Sequence, residues 1–354
     1  MTALTLVAEP APFGSRGETL ALGAFRTERG AVIEDAVLRY RVVGDREAAR
    51  QNGWILVFHA LTGSADVDDW WEPLLGPGAP LDTSRHAVLC ANLLGSCYGS
   101  SGPARVRDGS FPALTTTDLA RAHEPLLAHL GVERLALVTG GSLGGMVTLA
   151  WGRRSPVPVE ALVVFAAPAA TSAQAIAWNA AQRMAIEADP RWRDGRYLPG
   201  RGPTRGLAAA RAIAMITYRS HVEFGERFAR SAGTRRPGRF DVEHYLRRHG
   251  EKLVARFDAR SYAALMAAMD SHDVGDLAAA GRETAARVGR VVGVGIDTDI
   301  LYFPSEVRRW VDGYRAGGAR ADYAEIATPY GHDAFLIEFE QVAAIIRNAM
   351  RGER

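Results

Sequence analysis

The chain has 354 residues, 47% of them hydrophobic, with 42 basic against 40 acidic side chains and a formal net charge of +2. That length and apolar content suit a globular protein with a large core and exclude a disordered or fibrous chain. No run of about 18 uncharged apolar residues occurs, and Met1 to Phe13 lacks the basic start and long apolar stretch of a signal peptide, so a cytoplasmic protein with no membrane partner is expected.

Two cysteines, Cys90 and Cys97, make neither a disulfide framework nor a four-ligand metal site, and no metal is expected. Charge is unevenly spread. Residues 183–260 hold 18 Arg or Lys and 9 Asp or Glu, a net +9, which leaves −7 for the rest. Such a segment is either a solvated arginine-rich surface or a face for an anionic partner. It has no recognition motif or aromatic-interleaved strand, which argues against nucleic acid. Lys252, the only lysine, lies in a helical pattern and not in a Gly-x-x-x-x-Gly-Lys loop, so a P-loop is excluded.

In chain order, the alternating stretch within Val32 to Val43 predicts an antiparallel strand, and the apolar runs Trp54 to Phe58 and Ala87 to Cys90 predict buried strands. Thr115 to Leu130 reads as a helix capped near Thr117 and Asp118 and closed by Gly131. Leu135 to Val138 and Ala161 to Ala166 read as strands flanking a helix. From about Thr171 to Val288 the pattern is helix after helix, broken at Pro190, Pro199, Pro203 and Pro237. Strands then resume at Arg290 to Ile296 and Ala321 to Ile326, separated by a helix near Ser305 to Ala316 and followed by one from about Asp333 to Met350. Strand-helix alternation means an α/β fold with a mostly parallel central sheet. The expected division is a core of residues 1–170 and 289–354, with residues 171–288 inserted as a helical cap over the strands' carboxyl ends.

The sharpest chemical signal is Gly140-Gly-Ser142-Leu-Gly144, which follows an apolar strand and opens a helix. It fits G-x-S-x-G, the nucleophile elbow of the α/β-hydrolase fold, in which a strained turn lifts one hydroxyl above the sheet. A serine needs a base and a group to orient that base, and in this fold the chain order is serine, acid, histidine. After the penultimate strand come Asp297 and Asp299, and after the last strand comes His332. Asp299, at the loop end of its strand, is the better orienting acid, with Asp297 as competitor. Of the other histidines, His123 and His129 fall on a predicted surface helix, and His221, His244 and His249 lie in the cap. His59 ends a strand and shapes the loop that donates one oxyanion N–H. The donors are then the N–H groups of Leu61, or its neighbour Thr62, and of Leu143.

Longer blocks make the reading specific: His59-Ala-Leu-Thr-Gly63, Asn92-Leu-Leu-Gly-Ser-Cys-Tyr-Gly-Ser-Ser-Gly-Pro103, Gly141-Ser-Leu-Gly-Gly-Met146, Arg211 to Arg219 with Ile216-Thr-Tyr-Arg219, Arg256-Phe-Asp-Ala-Arg-Ser-Tyr262, His272-Asp-Val-Gly275 and Gly331-His-Asp-Ala-Phe335. Through them the chain resembles the homoserine O-acyltransferase family of α/β-hydrolase fold proteins. The resemblance implies that Ser142 is acylated by acetyl-CoA, with Asp299 and His332 completing a triad. It also implies that Arg211 holds the carboxylate of L-homoserine, Asp333 its ammonium, and Tyr218 faces it. It further implies methionine biosynthesis, a homodimer, and acetyl-CoA as cosubstrate with no bound cofactor, the basic segment then attracting the CoA phosphates. Serine as acceptor, succinyl-CoA as donor and a plain esterase are the alternatives. Two departures stand out. Leu143 replaces a common methionine, at a position where only the backbone acts. The stretch from Gly63 to Trp70 is short and lacks the usual histidine, which leaves the acyl group open.

Overall fold

The computed structural model describes residues 15–106, 110–230 and 240–351. The main sheet contains β1 (Glu18–Arg26), β2 (Val32–Gly44), β3 (Trp54–Phe58), β4 (Ala87–Ala91), β5 (Leu135–Gly141), β6 (Val159–Phe165), β7 (Val288–Ile296) and β8 (Ala321–Ile326), in the spatial order β1-β2-β4-β3-β5-β6-β7-β8. The first two pair antiparallel, β2 meets β4 antiparallel, and all pairs from β4 to β8 are parallel. Parallel strands are covered on both faces, which is why β3, β4 and β5 are buried at every residue and read as unbroken apolar runs.

From β3 the chain moves to β4 on one side and then crosses to β5 on the other, so the loops after β3 and β5 diverge. Between them lies a topological switch point, the place where open α/β sheets bind ligands. Phe58 pairs with Gly140 across these two strand ends. The helix Leu143–Gly152 follows β5 and is buried along its whole length.

Helices Ala173–Glu187, Thr204–Thr217, His221–Phe228, Asp241–Val254 and Ala259–Asp270 form the insertion. Small residues let them approach closely. A Cβ on Gly250 would lie 2.7 Å from the Ala208 carbonyl oxygen, and one on Gly206 would lie 2.8 Å from that of Ala185. Leu277–Ala285, counted with the insertion in the sequence, packs instead on the core helix Pro304–Ala316, where a Cβ on Gly281 would meet the Tyr314 carbonyl at 2.6 Å.

The basic segment is partly internal. Arg260 is 3% exposed, donates to the Val106 and Ala104 carbonyls, and lies 4.4 Å from the centre of the Tyr197 ring. Among the described residues no helix is long and apolar enough to cross a membrane, and no group of three or more His, Cys, Asp or Glu is placed to hold a metal ion. Cys90 and Cys97 are buried free thiols, and burial pushes both up, Cys97 to about 12, which makes them poor nucleophiles.

Four local expectations are corrected. The helix read over Thr115 to Leu130 is two helices, Thr116–Arg121 and Glu124–Leu130, because Pro125 cannot supply the N–H that would continue the first into the second. Its cap is Thr115, whose hydroxyl accepts from the Asp118 N–H at 3.1 Å while the Asp118 carboxylate accepts from the Thr115 N–H at 3.1 Å. His123, at the break, is not on the surface. It is fully buried, edge-on to Phe58 at 4.8 Å, and burial pushes it down to about 4. The last helix begins at Phe339, with a short 3-10 helix, Gly331–Leu336, ahead of it.

Candidate active site

Ser142 occupies the turn between β5 and its helix with φ 57° and ψ −123°, a conformation that L-residues rarely adopt. The turn fits only because of the glycines around it. A Cβ on Gly144 would lie 2.1 Å from the Phe58 carbonyl oxygen, and one on Gly140 would lie 2.6 Å from the Gly144 carbonyl. The Ser142 N–H donates to the Phe165 carbonyl at 3.0 Å, and its own carbonyl accepts from the Met146 N–H at 3.0 Å, which closes the first helical turn. Leu143, the first helical residue, has an N–H with no intrahelical partner, as every helix start does.

His332 and Asp299 meet from neighbouring loops. Nδ1 of His332 lies 2.7 Å from Oδ2 of Asp299, and Oδ1 accepts from the N–H groups of Leu301 at 2.8 Å and Tyr302 at 3.1 Å. Each residue is 2% exposed. Burial pulls the His332 pKa down, but the charge and hydrogen bond of Asp299, helped by Asp333, overcome it and the net shift is upward. Nε2 has no partner among the described residues, and His332 and Ser142 line one cavity. The rings of Tyr218, Tyr302 and Phe335 surround the imidazole at 5.3 to 5.9 Å. Asp297 points elsewhere. Its carboxylate accepts from the Thr328 N–H at 2.9 Å and joins the two loops, together with Thr298, whose hydroxyl donates to the Thr328 carbonyl at 2.7 Å.

The turn after β3 is gripped from below by His59. Nε2 accepts from the Leu93 N–H at 3.0 Å, so the proton sits on Nδ1, which donates to the Ala60 carbonyl at 2.8 Å. Burial pushes His59 down to about 4 and keeps it neutral. The same carbonyl accepts from the Gly63 N–H at 2.8 Å. A trans peptide holds its C=O and N–H in opposite directions, so two bonds on the Ala60 carbonyl also fix the direction of the Leu61 N–H.

The cavity is about 260 Å³ and brings together Leu61, Ser142, Arg211, Tyr218, His332 and Asp333, residues separated by up to 272 positions in the chain. Gly63, Ser64 and Trp70 line it too, which puts the short stretch noted in the sequence on its wall. The Arg211 guanidinium lies 5.3 Å from the centre of the Tyr218 ring. Asp333 is paired through Oδ2 with Arg219 at 3.2 Å, and Arg219 also reaches Glu223 at 3.4 Å. A carboxylate has about four acceptor sites, so this pairing leaves capacity for a further cation. Arg219 and Arg256 were not singled out from the sequence. Both lie in the quoted blocks, but nothing in a segment with 18 basic residues distinguishes a strut from a surface charge.

A buried histidine held by a carboxylate, a strained serine, oriented backbone N–H groups and a charged pair together can support acyl transfer through serine. The family model for the alpha/beta hydrolase fold matches residues 53–275. A homoserine O-acetyltransferase of Moorella thermoacetica is 44% identical, aligned over 92% of this chain and 93% of that protein. The chain belongs to the homoserine O-acetyltransferase family. The crystal structure of homoserine O-acetyltransferase from Staphylococcus aureus superposes with a TM-score of 0.77 at 28% identity, covering 96% of each chain. That of esterase E22 superposes with a TM-score of 0.84 at 21% identity, covering 94% of this chain and 99% of the other, a likeness of fold alone. Because one fold can host different chemistries, the function must be argued from the site itself.

Proposed function

We propose that the protein transfers an acetyl group from acetyl-CoA to the side-chain hydroxyl of L-homoserine through an acyl-Ser142 intermediate. The observation that carries this reading is the pair Arg211 and Asp333 on the same cavity as Ser142 and His332. Arginine suits a carboxylate and aspartate a primary ammonium, so the pair fits a free amino acid, which a plain esterase has no need to hold. The names of the relatives support the same acceptor.

In the first half-reaction the Ser142 hydroxyl gives its proton to His332 Nε2 while Oγ bonds to the thioester carbon. The N–H groups of Leu61 and Leu143 receive the oxyanion. When the carbon–sulfur bond breaks, the CoA sulfur takes the proton from His332. In the second, the homoserine hydroxyl loses its proton to His332 and attacks the acyl carbon, and Ser142 leaves with that proton. Asp299 holds the imidazole in the needed tautomer and stabilises the imidazolium. Tyr218, beside both Arg211 and His332, shapes the acceptor side. Water competes at the second step. An acceptor fixed at both charged groups gains an effective concentration that diffusing water lacks, provided the insertion limits its entry.

The test is a panel of acetyl-CoA and succinyl-CoA against homoserine and serine, each with and without acceptor. CoA release that depends on homoserine, with O-acetylhomoserine as product, is expected. Equal CoA release with and without any acceptor would identify a hydrolase.

A further inference from the structure

We propose that Arg256 is a positioning residue for the turn that presents the Leu61 N–H, so that the helical insertion helps set the rate of Ser142 acylation. This rests on the acyl-serine reading above and on Leu61 as an oxyanion donor.

Arg256 follows the insertion helix Asp241–Val254 and reaches across the cavity mouth to the core. Nη1 donates to the Thr62 carbonyl at 2.7 Å and to the Tyr98 hydroxyl at 2.7 Å, and Nη2 donates to the Thr62 hydroxyl at 3.3 Å. Phe257 packs edge-on against the same Tyr98 ring at 5.6 Å, which gives the guanidinium a second anchor on the loop after β4. Ala60 to Gly63 form the turn, closed by the bond from the Gly63 N–H to the Ala60 carbonyl.

The two grips are complementary. His59 holds the first carbonyl of the turn from the core side, and Arg256 holds the third from the insertion side, with Leu61 between them. A guanidinium presents several donors in a fixed plane, so it can take the carbonyl and hydroxyl of one threonine at once, and a lysine ammonium lacks that fork. The bonds are charge-assisted, although the exposure of Arg256 at the mouth weakens them. A donor stabilises an oxyanion only if aimed in advance at where the charge develops, so loosening residue 62 degrades the Leu61 N–H without removing it.

The experiment is rapid-mixing measurement of Ser142 acylation in the full-length protein and in Arg256→Met and Arg256→Lys, with two donors: acetyl-CoA, and p-nitrophenyl acetate, which has no phosphate. Removing an oxyanion donor outright costs about 10²–10³ in rate, so a misdirected one is expected to cost about tenfold or more. Arg256→Met is expected to slow acylation at saturating donor by the same factor with both, and Arg256→Lys to recover only part of it. Arg256→Ala, mixed with guanidinium ion, is expected to regain rate, which a general loss of folding would not allow. Slowing confined to acetyl-CoA and expressed as a raised KM would overturn the proposal in favour of direct contact with the donor's phosphates. Unchanged acylation in Arg256→Met overturns it as well. If the unaltered protein forms no acyl-Ser142 with either donor, the acyl-serine reading itself fails, an outcome distinct from both.

Discussion

Asp299 faces His332 across 2.7 Å, whereas Asp297, two residues earlier, accepts from the Thr328 backbone at 2.9 Å. Two carboxylates on one loop thus hold different partners, and their substitutions separate accordingly. Asp299→Asn is expected to lower turnover by about 10³–10⁴, because the amide favours the wrong imidazole tautomer and no longer stabilises the imidazolium. Asp297→Asn is expected to cost less than about tenfold in turnover and at most about 1 kcal/mol in stability, since the amide oxygen can still accept from the Thr328 N–H and only the charge is lost, at an exposed position. Steady-state rates and thermal melts of the two variants check both, and the reverse ranking would mean that the orienting acid is Asp297.

The upward shift of His332 fixes the direction of the pH dependence. A general base must be neutral, so acylation is expected to fall as pH drops through a value above the ordinary 6.5 of a histidine. In Asp299→Asn the main upward cause is gone and burial pulls the other way, so the remaining activity should show its acid limb at lower pH. The stability term has the opposite sign. A histidine whose folded pKa is raised contributes stability that is fully present below its unfolded pKa and is lost as pH rises through the folded one. Acylation rates and melting temperatures measured from pH 5 to 9, on about half-unit steps, read both effects.

Gly144→Ala is expected to destabilise by about 3 kcal/mol or more, or to prevent folding, because its Cβ would sit 2.1 Å from the Phe58 carbonyl, which is backbone and cannot rotate away. Gly225→Ala is the control. Its Cβ meets nothing within 4 Å, and alanine suits a helix better than glycine, so stability should hold or rise. Denaturant unfolding distinguishes the two.

These glycines also mark the limit of what the chain discloses. The elbow was legible because strand, turn and helix follow in one short run, so local pattern and final geometry coincide. Trp54 to Phe58 was legible for a similar reason, being apolar throughout and buried throughout. β1 was not, since it lies at the sheet edge, where its inward Leu20 and Leu22 are only half-buried and irregular pairing at Gly23 breaks the alternation before Phe25. Chain order pointed to Asp297, Asp299 and His332, but which carboxylate faces the imidazole could be read only from the contacts of Asp299 with His332 and of Asp297 with Thr328. Arg219 and Arg256 escaped altogether, because the partner of an arginine is set by tertiary approach and not by its neighbours in sequence.

Arg211 and Asp333 give the prediction that bears most directly on acyl transfer. Both line the cavity, yet neither is needed to attack a thioester. Arg211→Ala and Asp333→Asn are therefore expected to leave the formation of acyl-Ser142 near its normal rate while raising the homoserine KM by about 10–100-fold, the equivalent of losing a hydrogen bond to a charged group. The acyl-enzyme should then persist long enough for water to compete, so the ratio of acetate to O-acetylhomoserine should rise in both variants. Asp333→Asn carries a second signature. Asp333 adds to the upward shift of His332, so its acid limb should move to lower pH, while that of Arg211→Ala should not follow it. Mass spectrometry of the Ser142 adduct, with Ser142→Ala as the blank, and product ratios at low homoserine measure each part. A matching loss of acylation in both variants would show that the charged pair serves the donor and not the acceptor.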